Sequence, residues 1–264
     1  MSIRHYNPGR NRRGRVSIAA ERSLYTALVL SITLQIVFLF KHNDKLILAS
    51  AIFSSVFSLA HAQLAYAKRY FWSYLILTLI LSFGFEKISL STSWPFGDVT
   101  YHNLGASIFG VPLLVLVFWL AAIHPLLIMA RKIAPNWVLL SGAGAITGYA
   151  LFFDQLLTAN DYKSWKFSGA HIPFQTHIPL DNVVGWIFVG VITFGLANLV
   201  LPKERRKISA STTSVDVFLT WTWFYNFVAN LFFFGKPGTA LVGGLFFGIF
   251  LVVYLSKRYL GSPN

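Results

Sequence analysis

The chain has 264 residues, of which 55% are hydrophobic and only 12% charged, and it carries a formal net charge of +13. A water-soluble domain cannot cover itself with so little charge, so the bilayer is its natural solvent. Cysteine is absent, which excludes disulfides, thiolate metal sites and cysteine nucleophiles and leaves any chemistry to carboxylates, histidines and hydroxyls.

Apolar runs recur from end to end: Leu24 to Phe40, Leu46 to Ala67, Phe71 to Phe85, Gly105 to Ala130, Asn136 to Leu157, Val183 to Leu201, Val215 to Phe234 and Thr239 to Leu255. Most approach the roughly 20 residues that cross a hydrocarbon core of about 30 Å. They predict an all-α, polytopic membrane helix bundle of eight spans. Residues 1–23 form a basic cytoplasmic tail, 24–258 a single transmembrane domain and 259–264 a short C-terminal tail. The run from Phe71 is short and makes the weakest span.

Orientation follows from the 22 Lys and Arg residues. With the N-terminus inside, sixteen fall on inner segments: Arg4, Arg10, Arg12, Arg13, Arg15, Arg22, Lys68, Arg69, Arg131, Lys132, Lys203, Arg205, Arg206, Lys207, Lys257 and Arg258. Six are left outside, at Lys41, Lys45, Lys87, Lys163, Lys166 and Lys236. This bias predicts both termini on the cytoplasmic side of a multi-pass protein of the cell membrane. Basic residues scattered over helix ends do not make a nucleic-acid footprint, and the Arg-rich tail reads as a retention signal and a contact for anionic lipid. Lys41-His42-Asn43-Asp44-Lys45 follows the first run in place of a small-residue cleavage site, so that run stays as a span.

Gly144 with Gly148, and Gly244 with Gly248, have the GxxxG spacing that lets helices approach closely. Pro112 and Pro125 lie inside the fourth run and should bend it, freeing carbonyls that neighbours must satisfy. No internal repeat is evident, so an inverted-repeat transporter architecture is not supported.

The nine acidic residues divide by position. Glu21, Glu204 and Asp216 lie near the inner surface as solvated or capping charges, and Asp44, Asp98, Asp161 and Asp181 lie in outer loops. Glu86 and Asp154 differ, because both stand at the outer ends of spans, roughly 22 and 27 Å above the inner surface at 1.5 Å per residue. Asp154 is embedded in Tyr149-Ala150-Leu151-Phe152-Phe153, where a charge is costly without a partner. A carboxylic acid that keeps its proton there is what a general acid requires. The plainer readings are that Glu86 pairs with Lys87 and that Asp154 points into water.

Aromatic residues gather at the same level: Trp94, Phe96 and Tyr101 in one loop, Tyr162, Trp165 and Phe167 in the next, and Trp186 just inside the sixth span. They form either an interfacial belt or the wall of a pocket whose ring faces stabilise a cation. Asn182, Gly185 and Trp186 fall on one helix face, which is expected to look into that pocket. His102, His171 and His177 lie in outer loops without a tight ligand spacing, so no metal is expected, and helix contacts account for His61 and His124.

Glu86, Trp94-Pro95-Phe96-Gly97, Tyr101, Leu104-Gly105, Val111-Pro112-Leu113 and Trp119, followed by Asp154, Tyr162, Trp165, Ile178-Pro179-Leu180, Asn182 and Gly185-Trp186, resemble the carotenoid biosynthesis membrane protein family. That family includes carotenoid 1,2-hydratases of the bisanhydrobacterioruberin hydratase type. The likeness is close over residues 80–190 and rests on hydropathy elsewhere. Three positions depart from the family pattern. Val99 stands where a second Tyr is usual, Gln155 where a Pro follows the Asp, and Tyr149-Ala150 where a Trp-Asp pair often occurs.

The resemblance implies hydration of the terminal double bond of an acyclic carotenoid end group to a tertiary alcohol. Asp154 would serve as the acid and Glu86 as the water-orienting base, or the reverse, with Asn182 as partner to a water or carboxylate. Trp94, Phe96, Tyr101, Tyr162, Trp165 and Trp186 would line the substrate. No cofactor is required, and the implied partners are the polyene, the lipid bilayer and other carotenoid-pathway enzymes. A non-catalytic carotenoid-binding protein and a small-solute transporter are the competing readings. A transporter needs polar residues through the mid-membrane, and they thin out below Glu86 and Asp154.

Overall fold

A computed structural model describes residues 16–206 and 208–261. Arg4, Arg10, Arg12, Arg13, Arg15 and Lys207, which carry part of the charge bias, lie outside those residues, as do residues 262–264 of the C-terminal tail. The described chain forms eight α-helices: α1 (Ile18–Lys41), α2 (Asp44–Ala65), α3 (Lys68–Thr92), α4 (Leu113–Ile133), α5 (Val138–Ala159), α6 (Leu180–Val200), α7 (Thr213–Val228) and α8 (Pro237–Tyr259). Six are long and apolar enough to cross a membrane. The others are α5, diluted by glycines and Asp154, and α7, which has 16 residues and is continued by one π-helical turn over Ala229–Phe233.

Local chemistry sets several helix ends. Ser17 accepts the Ala20 N–H to start α1, His42 ends it in the left-handed conformation, and Asn43 accepts the Lys45 N–H to start α2. Two expectations need correction. The third span is the longest helix, with 25 residues, because helical structure runs on through Glu86 and Lys87 after the apolar run stops. Pro112 lies outside the fourth span as the N-cap of α4, where its missing N–H costs nothing.

Pro125 is inside α4 and removes the N–H that would bond the Ala121 carbonyl. Ser58 of α2 takes over, its hydroxyl donating to Ala121 O at 2.7 Å, while Ser55 donates to Val117 O at 2.6 Å. Further along this seam His61 Nδ1 lies 2.9 Å from His124 Nε2, the Tyr70 hydroxyl is 2.8 Å from His124 Nδ1, and Tyr74 donates to Leu120 O. A polar seam thus binds α2 and α3 to α4.

Both GxxxG pairs serve packing. A Cβ on Gly148 would stand 2.8 Å from Phe247 Cα, so α5 and α8 touch backbone to backbone, and Gly244 and Gly248 admit Phe227 and Trp223 of α7. Asp216, expected as a solvated or capping charge, stands in the first turn of α7 and is not solvated. It is buried between α7 and α8, where Arg258, Tyr254 and Tyr259 all donate to it.

The two long loops, α3 to α4 and α5 to α6, fold over one end of the bundle, opposite the end that gathers Lys68, Arg69, Arg131, Lys132, Lys257 and Arg258. The first loop holds β1 (Val99–Tyr101) and a tight hairpin of β2 (Ser107–Ile108) and β3 (Val111–Pro112). The hairpin turns through Phe109 and Gly110, both at positive φ. The second holds β4 (Lys163–Trp165) and the hairpin of β5 (His171–Ile172) and β6 (Gln175–Pro179). β1 and β4 pair antiparallel, with Val99 opposite Trp165, Thr100 opposite Ser164 and Tyr101 opposite Lys163.

This arrangement contains a repeat that the residues alone did not reveal. Helix, strand, hairpin, proline and returning helix occur in that order from α3 to α4 and again from α5 to α6. Val111-Pro112-Leu113 matches Ile178-Pro179-Leu180, and Trp119 and Trp186 each stand seven residues past the proline. Both units start in the same direction, so they are parallel repeats. Pairing about Thr100 and Ser164 relates the two strands by a local two-fold, which makes Val99 the counterpart of Lys163 and Tyr101 that of Trp165.

Ser58→Ala should cost about 1–3 kcal/mol by orphaning the Ala121 carbonyl, read as a lower Tm of the protein in detergent. In a Pro125→Ala background the restored backbone N–H fills that bond, so the same change should cost far less. Equal losses in the two backgrounds would separate Ser58 from the proline. Gly148→Val should overpack the α5–α8 contact and destabilise by about 1–3 kcal/mol or more.

Candidate active site

Four helices and two strands bring their polar groups to one point below the hairpins. Glu86 comes from α3 and Asp154 from α5, each near the end of its helix. Trp119 comes from α4, Asn182 and Trp186 from α6, Tyr101 from β1 and Lys163 from β4. The expected face of α6 does look inward, since Asn182 Nδ2 and Trp186 Nε1 both donate to Asp154 Oδ2, at 2.7 and 2.8 Å. Gly185 on that face lets the Pro95 carbonyl sit where a Cβ would be, only 2.1 Å from its ideal position.

Lys163 is the residue that sequence reasoning missed, counted there as one more outer-loop charge. Its ammonium donates to Asp154 Oδ1 at 2.7 Å with both side chains sealed, at 2% and 1% exposure. The ammonium also lies 4.5 Å from the ring centre of Trp165, 5.5 Å from Tyr101 and 5.9 Å from Phe96. Those rings therefore face a side chain of the protein itself. The signal for it was Asp154 itself, which could not be buried without a counter-charge.

Glu86 has a different environment. The Tyr101 hydroxyl donates to Oε2 at 2.7 Å and Trp119 Nε1 to Oε1 at 3.3 Å, and Glu86 is 1% exposed. Burial holds the Tyr101 phenol well above its ordinary range, so it stays a proton-bearing donor. Lys87 does not pair with Glu86; its ammonium donates to the Phe109 carbonyl. Among the described residues the ion pairs are Lys163–Asp154 and Arg258–Asp216, so no cation touches Glu86.

Glu86 and Asp154 share the wall of one cavity with Tyr101, Trp119, Lys163 and Trp186. Its volume of about 20 Å³ leaves room for one water. A guest larger than a water needs the wall to open. Phe118, Tyr149 and Phe153 separate this space from a second cavity of about 60 Å³ on the same measure, lined in part by Gln35, Ser50, Ser54, Thr222 and Asn226. Polar side chains therefore do not thin out as the sequence suggested, and His61 and His124 lie buried deeper still.

Not every expected residue reaches the cavity. Trp94 is half exposed on the rim, with its ring centre 4.8 Å from that of Phe188. Tyr162 is buried away from the wall, its hydroxyl without a partner. Phe96 and Trp165 form a layer behind Lys163, with Trp165 Nε1 donating to Phe96 O at 2.8 Å and Phe96 packed 4.8 Å from Trp186. Asn182 bonds Asp154, and its own Oδ1 is buried with no partner. His102 bonds Ser164 and His171 the Ile172 carbonyl, and among the described residues no three His, Asp or Glu side chains gather as a metal site would require. Trp119 was read only as part of a motif, and its bond to Glu86 emerges from the fold.

No curated protein and no solved structure matches the chain. The family model described as "Carotenoid biosynthesis protein" matches residues 43–251, which span both repeat units, the whole site and all helices but the first, the last in part. A multi-pass helix bundle with this match over most of its length is a member of the carotenoid biosynthesis protein family.

Proposed function

We propose that the chain hydrates the terminal carbon–carbon double bond of an acyclic carotenoid end group. The observation that carries this reading is the pair of buried carboxyls, Glu86 and Asp154, on the wall of one ring-lined cavity with room for a water. One carboxyl gives a proton to the less substituted alkene carbon and the other keeps its charge. The resulting tertiary cation faces two carboxylates and one ammonium, a net negative surround that stabilises it in a dry site. Trp119 and Trp186, with ring centres 5.3 Å apart, add their faces to that field. Water then forms the C–O bond and returns a proton to the site.

Ala150 lines the same wall at a position where the family pattern often has an Asp, a departure that leaves Glu86 and Asp154 as the two carboxyls available there. By the positive-inside rule the site opens under the external leaflet of the cell membrane, where a long polyene reaches it laterally with its reactive end near water. The protein itself needs no cofactor for this addition.

Cells that make lycopene-like polyenes and express the chain should accumulate products heavier by one water. Unaltered pigment across several acyclic substrates would sink the reading. Glu86→Gln and Asp154→Asn should each lower turnover by about 100-fold or more while the protein stays in the membrane. Asp154→Asn should also cost about 3–5 kcal/mol of stability, because it strands the Lys163 ammonium. Asp154→Asn with Lys163→Met should recover stability without recovering product. A double variant no more stable than Asp154→Asn would mean the ion pair is not what the loop depends on.

A further inference from the structure

The two repeat units supply equivalent parts to the site but unequal charge. Each gives a carboxyl from its first helix and an indole N–H from its second, with Trp119 lying 33 residues after Glu86 and Trp186 lying 32 after Asp154. The strands break the symmetry. Lys163 of β4 has Val99 as its counterpart in β1, so the second unit brings an ammonium where the first brings an isopropyl group. The nearest polar group that β1 offers Glu86 is the neutral Tyr101 phenol.

We propose, on the hydratase reading above, that Lys163 assigns the roles of the two carboxyls. It holds Asp154 ionised, and Glu86 is left as the group that carries the proton, delivers it and takes it back. Charge counting supports this assignment. With the proton on Glu86, the ammonium and Asp154 neutralise one another and no uncompensated charge is buried. With the proton on Asp154, the pocket holds a lysine that has lost its counter-ion and a glutamate that never had one in contact, a far costlier state away from water. Hydrogen bonding agrees. Asp154 accepts from one ammonium and two N–H groups, the setting of a carboxylate, whereas Glu86 accepts one phenol O–H and one long indole N–H.

The step balances on this chain's own groups. The Glu86 O–H bond breaks as the alkene π pair forms a C–H bond at the less substituted carbon. A water lone pair then forms the C–O bond at the tertiary carbon, and one of that oxygen's protons returns to the Glu86 carboxylate. Lys163 touches no reacting atom in this sequence and is a positioning residue.

Infrared spectroscopy of the purified protein in detergent, without substrate, tests the assignment. The wild type should show the carbonyl stretch of a protonated carboxylic acid, and Glu86→Gln should remove it. Lys163→Met should add a second such band, which Lys163→Met with Asp154→Asn should lose. A wild-type band that survives Glu86→Gln, or a Lys163→Met spectrum with no new band, would overturn the proposal. In turnover, Lys163→Met should change the pH profile of kcat more than the KM for the polyene; a rise in KM at an unchanged profile would make Lys163 a merely structural residue. The infrared measurement needs no turnover. If the wild type alters no polyene while the bands behave as stated, the hydratase reading falls and the charge assignment stands.

Discussion

A lysine and an aspartate held 2.7 Å apart and sealed from bulk solvent organise the hairpin end of this bundle. Neither charge is tolerable there alone, so every element that delivers one is committed to the element that delivers the other. β4 must lie across the end of α5, β1 must pair with β4 to hold it, and the rings of Phe96 and Trp165 must close behind the ammonium. Gly185 then has to be small, because the loop carrying Phe96 presses its Pro95 carbonyl onto α6. The hairpins are thereby fixed as a sealed roof, and the cavity beneath takes its shape from them.

Eight helices and the shared level of Glu86 and Asp154 were legible in the residues, because hydropathy reports helix count directly and a carboxyl in an apolar run is conspicuous. Helix ends were less legible. Hydropathy stops at Glu86 because the residues turn polar, yet α3 continues for another turn and more, since a helix can end among polar loops that cover it. Pro112 looked like an interior kink because Val111 and Leu113 are apolar on either side, although all three belong to the junction of β3 with α4.

Lys163 was hidden for a different reason. It lies in a loop between polar residues, and nothing in a linear reading says that β1 and β4, from loops sixty-two residues apart, will pair and carry it inward; that separation is the one between His102 and Ser164, which bond across the join. Trp94 and Tyr162 illustrate the converse. Both are aromatic, both stand beside residues that do reach the site, and strand alternation with rim packing sends them elsewhere. The repeat escaped notice because its halves share few residues outside Val-Pro-Leu, Ile-Pro-Leu and the two tryptophans, so its likeness resides in order and spacing.

That repeat bears on how the protein is made. Tyr101 follows Glu86 by 15 residues and Lys163 follows Asp154 by 9. Each acid therefore finds its nearest companion within its own stretch of nascent chain, soon after its helix leaves the ribosome. Glu86 thus has its phenol partner in the stretch that precedes α5, and the pairing of β1 with β4 is what joins the two halves around one chamber.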